Sequence, residues 1–174
     1  MNYATIKKRD IANGPGVRVS LFVSGCTHRC PGCFNEIAWD FSYGECFDGV
    51  VEQTLLEALA PDYIQGLSLL GGEPFEPQNQ RTLCRFLQKV RETYPQKNVW
   101  CYSGYTLEQL CGKEPCRARC EVTDEMLSMI DVLVDGRFVQ EKKNIRLRFR
   151  GSENQRLIDM NKTREAGEIV LWDN

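Results

Sequence analysis

Three thiols fall within eight residues, Cys26-Thr27-His28-Arg29-Cys30-Pro31-Gly32-Cys33, directly after the apolar, β-branched run Val17 to Val23. A strand that runs into such a loop must end where three cysteines can face one point. That requirement fixes where the fold keeps its chemistry. Thiolates are soft ligands that select zinc, copper(I) or iron–sulfur clusters. Structural zinc wants four protein ligands, and the loop offers three thiols with His28 as a candidate fourth. A four-iron cluster on three cysteines leaves one iron open to a substrate. Buried free cysteine is also an ordinary small hydrophobe, although three of them beside Pro31 and Gly32 are not ordinary core composition. The residues alone leave cluster, zinc and plain packing open, with a cluster the preferred reading.

Composition sets the outer bounds. At 174 residues the chain, 1–174, is expected to be one domain with a real core. Its hydrophobic share of 42% and charged share of 26% are those of a globular protein, not of a disordered or fibrous one. No apolar run approaches the roughly 20 residues of a membrane span. Met1 to Arg9 lacks the apolar centre of a signal peptide. The expectation is a cytoplasmic protein with no membrane partner, whose nine cysteines stay reduced; their odd number also argues against a fully paired disulfide scaffold. The net charge of −2 hides a split: Glu36 to Asp62 carries seven acids and no Lys or Arg, while Arg137 to Arg164 carries nine basic and three acidic residues, +6 by subtraction. The basic segment is either a solvated face or the lining for an acidic ligand or partner. Nucleic acid is not needed to explain it.

Strand and helix patterns alternate along the chain. Asn13-Gly14-Pro15-Gly16 is a tight turn by composition, and Val17–Val23 reads as a buried strand. Phe47, Val50, Val51, Thr54, Leu55, Ala58 and Leu59 predict an amphipathic helix over 47–60, ended by Pro61. Gly66 to Leu70 is a short strand that runs into Gly71-Gly72-Glu73-Pro74. There two glycines allow close backbone approach to a ligand, and a carboxylate can accept from an ammonium group. A second helix follows over Gln78 to Tyr94, with Leu83, Phe86, Leu87, Val90 and Tyr94 on one face and Cys84 off it. Asn98 to Tyr102 is a third strand, and Thr106-x-x-Gln109 opens a short helix with a capping box. A polar loop with Cys111, Cys116 and Cys120 is either a second metal site or an ordered insertion. Thr123 to Ile130 is a helix with acids in its first turn, Asp131 to Val134 a fourth strand, and Gly167 to Trp172 a last one. Arg146 to Arg150 alternates Arg with apolar residues, as a strand with one wet face would. The alternation predicts an α/β fold with a mostly parallel sheet and functional loops at the strand C-terminal ends. Eight-stranded barrels need about 250 residues, so the expected form is a partial, open (β/α) barrel.

The Cys-x3-Cys-x2-Cys spacing resembles the signature of the radical S-adenosylmethionine (SAM) superfamily. Gly71-Gly72-Glu73, one strand–helix–strand unit later, resembles the motif with which those enzymes meet the amino group of SAM. Asn13-Gly14-Pro15-Gly16-Val17-Arg18 resembles the Asp-Gly-Pro-Gly-x-Arg segment of glycyl-radical-enzyme activating enzymes, with Asn13 where many have Asp. Many superfamily members carry an aromatic residue where this chain has Gly32; Phe34 next door can substitute, and Gly is familiar there in the activases of anaerobic ribonucleotide reductase. Val134-Asp135-Gly136-Arg137-Phe138 and Arg150-Gly151-Ser152-Glu153-Asn154-Gln155-Arg156 also look like that family. The resemblance covers Asn13 to Arg156.

The resemblance implies that Cys26, Cys30 and Cys33 ligate three irons of a 4Fe–4S cluster. It implies that Gly32, Phe34, Gly71, Gly72, Glu73 and Ser103 lie against SAM. The partners it implies are the glycyl-radical subunit of an anaerobic ribonucleoside-triphosphate reductase and a low-potential electron donor such as flavodoxin. Auxiliary clusters in such enzymes show paired four-cysteine groups, which the Cys111–Cys120 loop lacks. Two rivals remain at this level: a radical SAM enzyme acting on a small molecule, similar to carboxy-deazaguanine synthase, and a zinc-binding adaptor without activity.

Overall fold

In the computed structural model, which describes residues 1–173, the apolar run leading to the cysteines is an interior strand of one seven-stranded sheet. In chain order the strands are β1 (Asn2–Asp10), β2 (Val17–Val23), β3 (Glu45–Cys46), β4 (Ile64–Gly71), β5 (Asn98–Tyr102), β6 (Val132–Asp135) and β7 (Arg156–Asp159). They lie in the order β3-β1-β2-β4-β5-β6-β7. The four strands β2, β4, β5 and β6 run parallel. β1 and β3 extend one side antiparallel, and β7 extends the other. The sheet is open, so the chain has a mixed α/β fold with a parallel centre and antiparallel margins.

Five helices accompany the described strands: α1 (Gly49–Leu59), α2 (Pro77–Thr93), α3 (Leu107–Leu110), α4 (Thr123–Ser128) and α5 (Met160–Ala166). Asp48 caps α1 by accepting from the Val50 and Val51 amides, so this helix begins two residues later than the apolar pattern predicts. Leu55 and Leu59 are its buried face, while Val50, expected on that face, is exposed. Pro77 opens α2, where its missing N–H is no loss. Leu83, Phe86, Leu87 and Val90 are buried there, each contributing about 1.5–3 kcal/mol. Cys84 joins them in the core. It was expected off the stripe, but α4 packs against the flank of α2 that carries it. Thr106 and Gln109 form both halves of the expected capping box.

Side chains alternate between the two faces of the sheet. Val19, Leu21 and Val23 of β2, Leu67 and Leu69 of β4, Val99 and Cys101 of β5, and Leu133 of β6 share the core with the helices. On the second face Trp100, Val132 and Val134 pack with Tyr102, Phe149, Leu157 and Trp172, and no helix among the described residues joins this cluster. Here β2 opens with polar residues. Arg18 and Ser20 are fully buried on this side. Arg18 donates to Ser68 Oγ at 2.7 Å, Asn98 Oδ1 at 2.7 Å and the Leu67 carbonyl at 2.8 Å, and lies over the Trp100 ring at 5.5 Å. Burial pushes its pKa down to about 10. One guanidinium thus ties β2, β4 and β5 together at the end remote from the cysteines.

Two expected strands do not form among the described residues. Residues 146–150 are a loop: Leu147 N–H bonds back to the Asn144 carbonyl, and Phe149 takes a left-handed φ of 59°, which ends any extended run. Residues 167–172 contribute only a bridge between Ile158 and Leu171. No helix among the described residues is long and apolar enough to cross a membrane.

Candidate active site

The C-terminal ends of β2, β4 and β5 release three loops, and these meet. The β2 loop carries the cysteines, the β4 loop carries Gly71-Gly72-Glu73, and the β5 loop carries Ser103-Gly104. Together they wall a cavity of about 370 Å³. Cys26, Cys30, Cys33, Phe34, Gly71, Gly72, Glu73 and Ser103, all singled out in the sequence, lie on its wall. Gly32 does not. It is exposed and turned toward the Gln140 side chain. Its φ of +70° serves the tight turn in which the Cys33 amide donates to the Cys30 carbonyl at 3.1 Å, a conformation that glycine adopts without strain.

The two glycines of the β4 loop approach backbone rather than open space. The Gly72 amide donates to the Val23 carbonyl at 2.7 Å, and the Glu73 amide to the Gly25 carbonyl at 2.8 Å. A Cβ on Gly72 would stand 2.5 Å from the Gly25 carbonyl oxygen. The loop is therefore pressed against the last residues before Cys26.

Glu73 is 1% exposed and both of its carboxylate oxygens are engaged. Oε1 accepts from the Phe75 amide at 2.8 Å and Ser103 Oγ at 2.9 Å. Oε2 accepts from the Gly104 amide at 2.7 Å and pairs with His28 Nε2 at 3.0 Å. These four contacts occupy the usual acceptor sites of a carboxylate. Glu73 thereby joins the cysteine loop to the β5 loop. Glu76, just before α2, ties the same loop to that helix, accepting from the Thr27 amide at 2.8 Å and from the Thr27 hydroxyl. From the other side Arg137 donates to the His28 carbonyl at 2.6 Å, and the His28 ring rests against Tyr105 with centroids 4.3 Å apart. The loop that carries the thiols is thus held in shape by protein groups alone.

Burial, and then the charge of Glu73, pushes the Cys26 thiol up to about 12. A lone thiolate is disfavoured there, and a metal that deprotonates its ligand reverses the balance. Among the described residues no three His, Cys, Asp or Glu side chains gather around a point where one metal ion would sit. A cubane takes its ligands at separate corners, a wider spread than one ion demands. His28, the candidate fourth zinc ligand, has its Nε2 committed to Glu73. Cys111, Cys116 and Cys120 lie outside the cavity wall.

Much of the remaining wall comes from the 136–155 loop, through Gly136, Phe138, Leu147, Phe149, Arg150 and Gln155, and part from Ala12, Asn13 and Trp39. The Gln155 side chain organises it, donating to the Gly136 carbonyl at 3.0 Å and accepting from the Gly151 and Ser152 amides. Arg150 donates to the Gln155 carbonyl at 2.6 Å. Reading the sequence missed His28, Glu76, Gly104 and Arg137 as organisers of the site. Their partners lie 31 to 109 residues away along the chain, so no local spacing betrays them.

A family profile described as a 4Fe-4S single cluster domain matches residues 12–158. Among curated proteins, the anaerobic ribonucleoside-triphosphate reductase-activating protein of Haemophilus influenzae is 45% identical over 157 residues, 89% of this chain and 96% of that protein. The protein of the same name from Escherichia coli K12 is 42% identical, with the same coverage. That of enterobacteria phage T4 is 38% identical over 90% of this chain and 93% of its own length. The chain belongs to this family of reductase-activating proteins. The three loops that meet at the cavity fall inside the profile's span.

Proposed function

We propose that the chain activates an anaerobic ribonucleoside-triphosphate reductase by generating its glycyl radical, as a radical SAM enzyme. In this reading residues 1–174 are one domain, a partial, open (β/α) barrel of the radical SAM type, working in the cytoplasm. Cys26, Cys30 and Cys33 would hold three irons of a 4Fe–4S cluster, and SAM would complete the fourth. The donor set fits: three soft thiols reach one cavity, and no fourth cysteine lies on its wall. The chemistry such a group supplies when bound is reductive cleavage of SAM to methionine and a 5′-deoxyadenosyl radical, which takes a hydrogen atom from a glycine Cα of the reductase.

The chain's own residues bind, orient and shield. Gly71 and Gly72 bring the β4 loop against the cysteine strand, so that one wall serves cluster and SAM together. Glu73, already met by four donors, lends its charge to that wall and positions His28 and Ser103. Gly32 shapes the turn between the second and third cysteines. Phe34, 87% exposed at the mouth, is free to cover the adenine or the incoming glycine loop. Of the basic segment, Arg150 is the residue on the cavity wall, and it offers a cation to the carboxylate of SAM. An external low-potential donor such as flavodoxin supplies the electron.

The observation that carries this reading is the convergence of three distant stretches, Cys26–Cys33, Gly71–Glu73 and Ser103, on one cavity. The test is anaerobic iron and sulfide analysis with electron spin resonance. About four irons per chain, a reduced signal altered by SAM, and a glycyl radical on added reductase are expected. Zinc without sulfide, or no radical on the reductase with a fully loaded chain, would refute it.

A further inference from the structure

The cysteine loop has two sides. Its inner side faces the cavity just described. Its outer side is solvent: Thr27, Arg29, Pro31 and Gly32 are exposed, alternating with or flanking the cysteines beneath. Beside it opens a second cleft of about 710 Å³, lined among others by His28, Gly104, Tyr105, Cys116, Arg117 and Arg137, with no Asp or Glu on its wall. His28 and Gly104 line both spaces, so a single layer of residues separates them. On the opposite flank the Gln140–Lys142 turn abuts the Pro31-Gly32 turn, because Gly32 faces Gln140.

The outer side is therefore ringed by Arg29, Arg117, Arg137 and Lys142, all exposed. None of the four forms an ion pair among the described residues. Glu141 is the acid that shares the turn with Lys142. Arg137 and Arg117 are held in place, by the His28 carbonyl and the Tyr105 hydroxyl, so their charge is fixed at this rim rather than swinging freely.

We propose that this outer face docks an acidic one-electron carrier protein, and that the cleft formed with the 105–117 segment receives its edge. The proposal rests on the cluster reading above. SAM and the glycine loop both need the inner cavity, so the reductant must come from elsewhere, and the outer cleft shares His28 and Gly104 with that cavity. A patch of unpaired cations suits a weak, steered redox encounter. It also gives the 111–120 insertion a place in the function as one wall of a docking cleft. In the step itself the carrier loses one electron and the cluster gains it, with no bond made or broken.

The test uses the cluster-loaded chain, with reduced flavodoxin as an acidic carrier and photoreduced deazaflavin as an uncharged reductant. Arg29 and Lys142 make no side-chain hydrogen bond among the described residues, so Arg29→Glu/Lys142→Glu alters charge with little effect on packing. The second-order rate of cluster reduction by flavodoxin is expected to fall about tenfold to a hundredfold at low salt, and its salt dependence to flatten. Flavodoxin affinity, read from flavin fluorescence on the unloaded chain as well, should weaken in parallel. The deazaflavin rate and SAM affinity should stay as in the wild type. Lys8→Glu/Arg85→Glu, the same change of charge on exposed positions of β1 and α2, is the control. An unchanged flavodoxin rate in the first variant, or an equal loss in the control, overturns the proposal. A chain that docks and accepts electrons yet leaves the reductase without a radical would refute the function proposed above and spare this inference.

Discussion

Removing the Glu73 carboxylate should loosen the site before any cofactor is considered. Glu73→Ala strands four donors. Ser103 Oγ, the Gly104 amide and the His28 ring border the cavity and can turn to water there. The Phe75 amide is buried and has no such exit. A buried donor left without a partner costs about 2 kcal/mol, a substantial share of the roughly 5–15 kcal/mol that holds a domain folded. For a chain of this size that lowers the melting temperature by about 4–8 °C. Glu73→Gln separates the terms. Its amide oxygen can still serve Phe75, and its NH2 falls on the cavity side, where the Gly104 amide and His28 can turn to water, so this variant should melt within about 2 °C of the wild type. Scanning calorimetry under reducing, anaerobic conditions measures both. An alanine variant melting within about 2 °C of the wild type, or a glutamine variant as unstable as the alanine one, would refute the assignment of Glu73 as the tie between loops.

Two further outcomes follow from the geometry. Cys30→Ala should abolish iron binding, whereas Cys84→Ala, a buried residue of α2 remote from the cavity, should retain it; iron analysis after anaerobic reconstitution decides, and equal loss in both would undo the ligand assignment. The Arg156 guanidinium, 3.0 and 2.7 Å from the two Glu108 oxygens, holds the Glu108 carboxyl at about 2 instead of its ordinary 4.5. Between those values the unfolded chain binds the extra proton, so this contribution is complete above about 4.5 and is lost as pH falls toward about 2. Glu108→Gln should therefore show a shallower loss of stability on the acid side, read as the denaturant midpoint between pH 6 and pH 3.

The buried parallel strands and long helices were legible because each carries its pattern locally. Leu83, Phe86, Leu87 and Val90 announce α2 without help from the rest of the fold. β1 was not legible. Its sequence, NYATIKKRD, hides only Tyr3 and Asp10, and it holds its place by pairing with β2 on one side and β3 on the other. β7 is four residues long, too short for a period to show. Arg18 looked like a blemish in an apolar run, and its meaning depends on Ser68, Asn98 and Trp100, which only the sheet brings near. The same holds at the site. The cysteines and the Gly-Gly-Glu stretch stand out by spacing, but the roles of the glycines and of Glu73 depended on Gly25, Val23 and His28. Motif chemistry suggested residues that reach toward a ligand, whereas close packing uses them first to bind loop to loop.

The unequal cover of the sheet has one more consequence. The helical face is sealed by dozens of aliphatic groups, but the 136–155 loop rests on the other face largely through Phe149, set with Trp172 edge-on to Trp100 at centroid distances of 5.4 and 5.0 Å. Local opening of a segment costs only the contacts that the segment itself makes. The molecule therefore divides its durability: amide exchange on β2, β4 and β5 should track global unfolding, while the loop peels away and returns many times within that interval. A large substrate can be admitted and released on such a schedule without the body of the fold ever coming apart.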